Sequence, residues 1–250
     1  MKKNGWFFWG GFLVLIAAML WTGCGNPAID NPPPDNSDTP GTDNGVPPEV
    51  AADPGDTADT PLVPASKDVS TLGLASPVLI VFSEAAAPAV RPGANAELSA
   101  ATNHVTVTLT AAGADIVAQG TCADGSITFT GNHAFNLYLN GLELASLSGA
   151  AINNDGSEAM NVTLVEGTAN RLIDSAGGGQ KAAFYSKGDF AVSGGGSLEV
   201  RGKTAHAIAA NGAFTQTGGT IWAKEAVKDG VNAKTVNVSG GAFTARTKGD

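Results

Sequence analysis

Cysteine is nearly absent: 250 residues carry two, Cys24 and Cys122. That excludes a scaffold stapled by several disulfides, so stability has to come from packing. Proline does not occur after Pro92, as interior strands require, because proline has no N–H to give a sheet. Lysine and arginine are missing from residues 25–65. The three histidines, His104, His133 and His206, have no metal-ligand spacing, and no G-x-S-x-G, P-loop or zinc motif occurs. No basic cluster exists to neutralise phosphates, which argues against a nucleic-acid groove.

What is present begins with export. Lys2 and Lys3 precede an apolar run from Trp6 to Leu20, closed by Leu20-Trp21-Thr22-Gly23-Cys24. Charge, apolar core and small residues at a cut are the order of a secretory signal. The run is shorter than the roughly 20 residues of a spanning helix. Thr22-Gly23-Cys24 resembles a lipobox, in which the cysteine after the cut takes a diacylglycerol, although Trp21 stands where an aliphatic residue is usual. The alternative is an uncleaved anchor with an incidental Cys24. Either way the chain is exported. The expected location is the cell envelope, lipid-anchored through Cys24 in the outer membrane, periplasm or cell surface. Cys122 is then left without an internal partner and is expected to be a small buried side chain.

Residues 25–65 have a composition of their own. Ten of the 13 prolines lie there, with seven aspartates and Glu49. Such a segment buries too little apolar surface to offset its ordering entropy, and a disordered acidic tether is expected. From Ser66 onward the chain carries 15 acids and 12 bases, so most of the net charge of −9 belongs to the tether.

The rest reads as β. Val105, Val107 and Leu109 alternate with threonines, and Ile127-Thr128-Phe129 and Leu137-Tyr138-Leu139 keep the period of two. Helical periodicity is absent. Three copies of one pattern stack in the C-terminal half. Phe184, Phe190 and Leu198 correspond to Ile208, Phe214 and Ile221, and these to Val231, Val236 and Phe243. The steps from Phe184 to Ile208 to Val231 are 24 and 23 residues. A three-strand unit of that size cannot bury its own apolar side, but stacked units can pair strand on strand. A parallel β-helix with about 23 residues per coil is therefore expected; the rival is an antiparallel sandwich. Gln216 falls where Val192 and Val238 point inward, so either it bonds to coil backbone or the register there is wrong. The expected organisation is a signal (1–24), a tether (25–65), a transition segment (66–97) and a solenoid (98–250). At the C-terminus Gly249-Asp250 matches Asp229-Gly230 in opening a coil that is not made, which suggests a truncated chain.

Three stretches carry a family resemblance: Asn136-Leu137-Tyr138-Leu139-Asn140-Gly141-Leu142-Glu143-Leu144, Gly149-Ala150-Ala151-Ile152, and Val162 through Asn170 with Glu166-Gly167-Thr168. Together with Lys228-Asp229-Gly230-Val231, they make the chain from about His104 resemble a family of carbohydrate-binding β-helix domains with a pectate-lyase-like fold. The resemblance implies a right-handed parallel β-helix, binding of polysaccharide including acidic sugars, bound calcium, and no established catalysis.

Candidate site residues come from alternation. With Ile221 and Ala223 inward, Trp222 points outward, and an exposed indole suits the apolar face of a sugar ring. Glu199 and Thr244 are its equivalents one coil away. Tyr185 is outward by the same argument, and Asn232 lies on its face. Asp174, Asp189, Asp229 and Asp250 sit at turns and are the candidate calcium ligands, with solvated turn aspartates as the alternative. Lys228 and Arg246 could serve a lyase as bases near them. The preferred reading is a carbohydrate-binding protein without turnover. The alternatives are a calcium-dependent polysaccharide lyase and a surface protein that binds other proteins.

Overall fold

The computed structural model describes residues 65–248. The signal, Cys24, all but the end of the tether and Asp250 lie outside the described residues. A 3-10 turn, Val69–Leu72, precedes 17 strands. The first six are β1 (Val78–Ser83), β2 (Ala86–Arg91), β3 (Ala96–Ala101), β4 (His104–Leu109), β5 (Ala114–Cys122) and β6 (Ser126–Thr130). Then come β7 (Phe135–Ser146), β8 (Ile152–Asn154), β9 (Met160–Leu164), β10 (Ala169–Asp174), β11 (Ala182–Ser186) and β12 (Phe190–Gly194). The last are β13 (Ser197–Arg201), β14 (His206–Ala210), β15 (Ala213–Ala226), β16 (Val231–Asn232) and β17 (Thr235–Thr247).

The strands stack as a parallel β-solenoid of about six turns and about 24 residues per turn. Its wall has three faces. The first is the parallel stack β4, β6, β8, β11, β14 and β16. The second runs through β1, the first half of β5, the first half of β7, β9, β12 and the first parts of β15 and β17. The third holds the second halves of β5 and β7, then β10, β13 and the second parts of β15 and β17. The sandwich alternative is thereby discarded.

The expected ladders pair as expected, although Val236, the last rung of the second, is exposed. Phe184 pairs with Ile208 and Ile208 with Val231. Phe190 pairs with Phe214 and Phe214 with Val236. Leu198 pairs with Ile221 and Ile221 with Phe243. A phenylalanine spine results: Phe184 and Phe190 are 4.5 Å apart by ring centroid, Phe190 and Phe214 5.6 Å, and Phe214 and Phe243 6.2 Å, all edge to face, the arrangement that aromatic quadrupoles favour. Cys122 is buried in this core, and burial pushes its thiol up from its ordinary range. A resting thiol of that kind is a packing residue.

Where a strand turns from the second face to the third, backbone passes so close to backbone that only glycine fits. At Gly194, φ is +97° and a Cβ would lie 2.2 Å from the Leu164 carbonyl oxygen. At Gly241, φ is +76° and a Cβ would lie 2.1 Å from the Gly219 carbonyl oxygen. Both conformations also disfavour any side chain. Gln216 keeps its inward register and is fully buried. Its amide Nε2 donates to the carbonyls of Gly218 (3.2 Å), Gly219 (3.1 Å) and Ala242 (3.1 Å) at this same corner.

The expected boundary at residue 98 is not a structural one. β1 pairs in parallel with β5 and buries Val78, Ile80 and Phe82, so the solenoid starts at Val78. Pro77, Pro88 and Pro92 hide this coil from the repeat. Pro88 is tolerated because β2 pairs only with β1, antiparallel, as an edge strand.

Candidate functional site

Outward side chains form rows along the solenoid, one rung per coil. On the third face, Glu143, Arg171, Glu199, Trp222 and Thr244 stand in register. The neighbouring row contains Arg201, Lys224 and Arg246. Glu199 is the hub. Its Oε1 lies 2.7 Å from Arg201 Nε and 3.1 Å from Arg171 Nε, and its Oε2 lies 3.4 Å from Lys224 Nζ. Arg171 reaches on to Glu143 (3.0 Å) and Arg201 to Glu225 (3.1 Å). Burial works against the Glu199 charge, but the hydrogen bond and charge of Arg201, then Arg171 and Lys224, outweigh it and hold the carboxyl below its ordinary range.

Trp222 sits between Glu199 and Thr244 as expected, but it is only 6% exposed. An exposed stacking plate is therefore not what this row presents. Alternation along a strand fixes direction, not depth. Here the long neighbours Glu199, Arg201 and Lys224 are buried with the indole. Thr244, its partner on the other side, is exposed.

On the first face Tyr185 lies in register between Asn153 and Ala209 and is 8% exposed, its hydroxyl accepting from Asn211 Nδ2 at 2.9 Å. A groove of about 300 Å³ runs beside it, lined by Ser126, Thr128, Ser148, Asn153 and Gln180. Asn232 is exposed further along and donates to Asp229 Oδ2 at 3.0 Å.

The aspartates do not converge. Asp174 is buried and accepts from the backbone N–H groups of Lys203 and Thr204; burial raises its carboxyl above the ordinary range in spite of those donors. Asp189 caps the Ala213 N–H at 2.9 Å. Asp229 lies 3.0 Å from His206 Nδ1. Among the described residues no three acidic, histidine or cysteine side chains gather to hold a metal ion. Asp174 and Asp189 accept from backbone N–H groups, and Asp229 is engaged by the side chains of His206 and Asn232. Asp250 lies outside the described residues. Arg246 stands in the row with Lys224 on the third face.

Two groups escaped the sequence reading. His206 faces Asp229 one coil on, and burial, together with the charges of Lys228 and Lys181, lowers its pKa in spite of Asp229. Arg171 joins Glu143 and Glu199 at steps of 28 residues. In both cases the signal was separation by one coil.

Comparison with known proteins places this geometry. The model of a family described as carbohydrate-binding domain-containing protein matches residues 103–250. The chain belongs to that family. Within this carbohydrate-binding domain lie the first-face strands from β4 to β16, the charged row of the third face, and the candidate sugar-binding and calcium residues. Among solved structures, the gadolinium derivative of the polysaccharide lyase-like protein from C. thermocellum is similar in fold. Its TM-score is 0.54 at 20% identity, over 69% of this chain and 83% of that one. No curated protein matches.

Proposed function

We propose that this chain is an exported, lipid-anchored protein whose solenoid binds polysaccharide and does not turn it over. The observation that carries the reading is membership of the carbohydrate-binding domain family over residues 103–250. Absence of turnover is supported by the engagement of the ionisable groups. Glu199 is held by three cations, Asp174 by two backbone N–H groups, and Asp229 by His206 and Asn232. A calcium-dependent lyase would need carboxylate oxygens available to a cation, and carboxylates engaged by neighbouring donors are poorly placed for that. Export and anchoring at Cys24 rest on the order of residues 2–24 alone.

The test is affinity electrophoresis of the full chain in gels containing neutral glucans, mannans or polyuronates, with ultraviolet absorbance of unsaturated uronate followed on the same polymers. Retardation without absorbance is expected. Absorbance growing with enzyme concentration would establish a lyase instead. Migration unaffected by every polymer would overturn carbohydrate binding.

A further inference from the structure

The second face carries a built cleft that no candidate residue occupied. Its wall is the segment just before β1. The side chain of Asn140, fully buried, accepts from the Lys67 N–H (2.9 Å) and donates to the Lys67 carbonyl (2.8 Å) and to Gln119 Oε1 (2.9 Å). Next to it Gly141 has φ +71°, and a Cβ there would lie 2.9 Å from the Ser66 nitrogen. Two adjacent residues are thus committed to seating this segment against the coils. Between it, the second face and the Val165–Gly167 turn lies a cleft of about 450 Å³, lined by Lys67, Leu72, Tyr138, Thr163 and Glu166. That is within the size range of small-ligand sites.

The chemistry of the lining is specific. Tyr138 is half-buried, and its hydroxyl reaches Asp115 Oδ1 at 3.4 Å, which fixes the ring. Burial, then the nearby Asp115 charge, pushes its pKa up, so it remains a neutral phenol. Asp115 also accepts from Asn136 Nδ2 (2.9 Å), and Asn136 accepts from Asn161 Nδ2 (3.3 Å). A ladder of side-chain amides therefore leads away from the tyrosine along the axis, one rung per coil. Lys67 supplies only donors and Glu166 only acceptors. With Asp115, the region holds two carboxylates and one ammonium, a balance that disfavours a polyanion and suits hydroxyls, which donate and accept.

We propose that this cleft binds one residue of an uncharged polysaccharide, stacked on Tyr138 between Lys67 and Glu166, with the chain continuing over Asn136 and Asn161. This rests on the carbohydrate-binding reading and specifies its site and ligand class.

The test is affinity electrophoresis of the full chain in neutral glucan and polyuronate gels. Wild type is compared with Tyr138→Ala, Lys67→Ala, Glu166→Ala and Asn161→Ala, and melting curves are recorded for each. Lys67, Glu166 and Asn161 have exposed side chains, so those variants should fold even if Tyr138→Ala does not. Retention by the neutral polymer should fall about tenfold or more for Tyr138→Ala and several-fold for each of the others, at unchanged melting temperature for the exposed three. Wild-type retention that survives Lys67→Ala, Glu166→Ala and Asn161→Ala intact would overturn this site while leaving carbohydrate binding standing. Retention of wild type by the polyuronate alone would overturn the ligand class. No retention of wild type by any polymer would refute the broader reading on which the site depends.

Discussion

Glu199→Gln is the most informative single change to the solenoid wall. The substitution keeps the shape of the side chain and removes the one negative charge shared by Arg171, Arg201 and Lys224. Removing one partner from a buried ion pair costs roughly 3–5 kcal/mol, because the partner charge stays buried. Here Arg171 keeps Glu143 and Arg201 keeps Glu225, so the lower end of that range, about 3 kcal/mol, is the expected loss at neutral pH. For a domain of this size each kcal/mol moves the midpoint by roughly 2–4 °C, so the melting temperature should fall by roughly 6–12 °C. The pH dependence supplies the stricter check. The Glu199 carboxyl is depressed in the folded protein. Its stabilising contribution is therefore fully present above the unfolded pKa and is lost as pH falls through the lower folded one. Urea denaturation of both proteins at neutral pH and at about pH 3 should show a wide gap that narrows on acidification. A gap under about 1 kcal/mol at neutral pH, or one of equal width at both pH values, would show that Glu199 is not the hub of the row.

Phe214→Ala should cost about 3–5 kcal/mol in a denaturant titration, since Phe214 is fully buried in the phenylalanine spine, whereas its outward neighbour Thr215→Ala should stay within about 0.5; equal losses would place the register off by one. Trp222→Ala should lower the melting temperature clearly, by an amount corresponding to about 3 kcal/mol, because the indole is buried; an unchanged melting curve would return it to the surface and to a binding role. Cys24→Ser should shift the protein from the detergent phase to the aqueous phase on partitioning, or stall its processing; processed protein that still partitions with detergent would exclude lipidation.

The architecture was legible because the last coils keep steps of 24 and 23 residues, and all three inward ladders derive from that offset. The first coil was hidden by its prolines, which break the pattern by which strands were recognised, although Val78, Ile80 and Phe82 pack as later residues do. The charged row was hidden differently. Glu143, Arg171 and Glu199 recur at 28 residues, not 23, so a fixed offset passes over them. The direction of Trp222 was readable and its burial was not, because depth depends on what the neighbouring side chains do. Asn140 looked like one more strand residue. Its role requires knowing that Lys67, 73 residues earlier, lies against it.

The uneven coil length has its own consequence. Successive rungs of the third-face row are separated by 28, 28, 23 and 22 residues, yet the strands stay in register at each rung, the shifts between β15 and β17 falling on either side of Thr220–Lys224. Much of the difference is taken up in one turn: seven residues part Asp174 from Ala182, and four part Arg201 from His206. Gly179 and Gln180, in the longer of these turns, line the first-face groove. Residues can thus be added to or removed from the rim without rephasing the interior. Length variation in such loops is tolerated where strand interiors would not bear it. The wall of this solenoid can hold constant while the contour of its groove is redrawn, turn by turn.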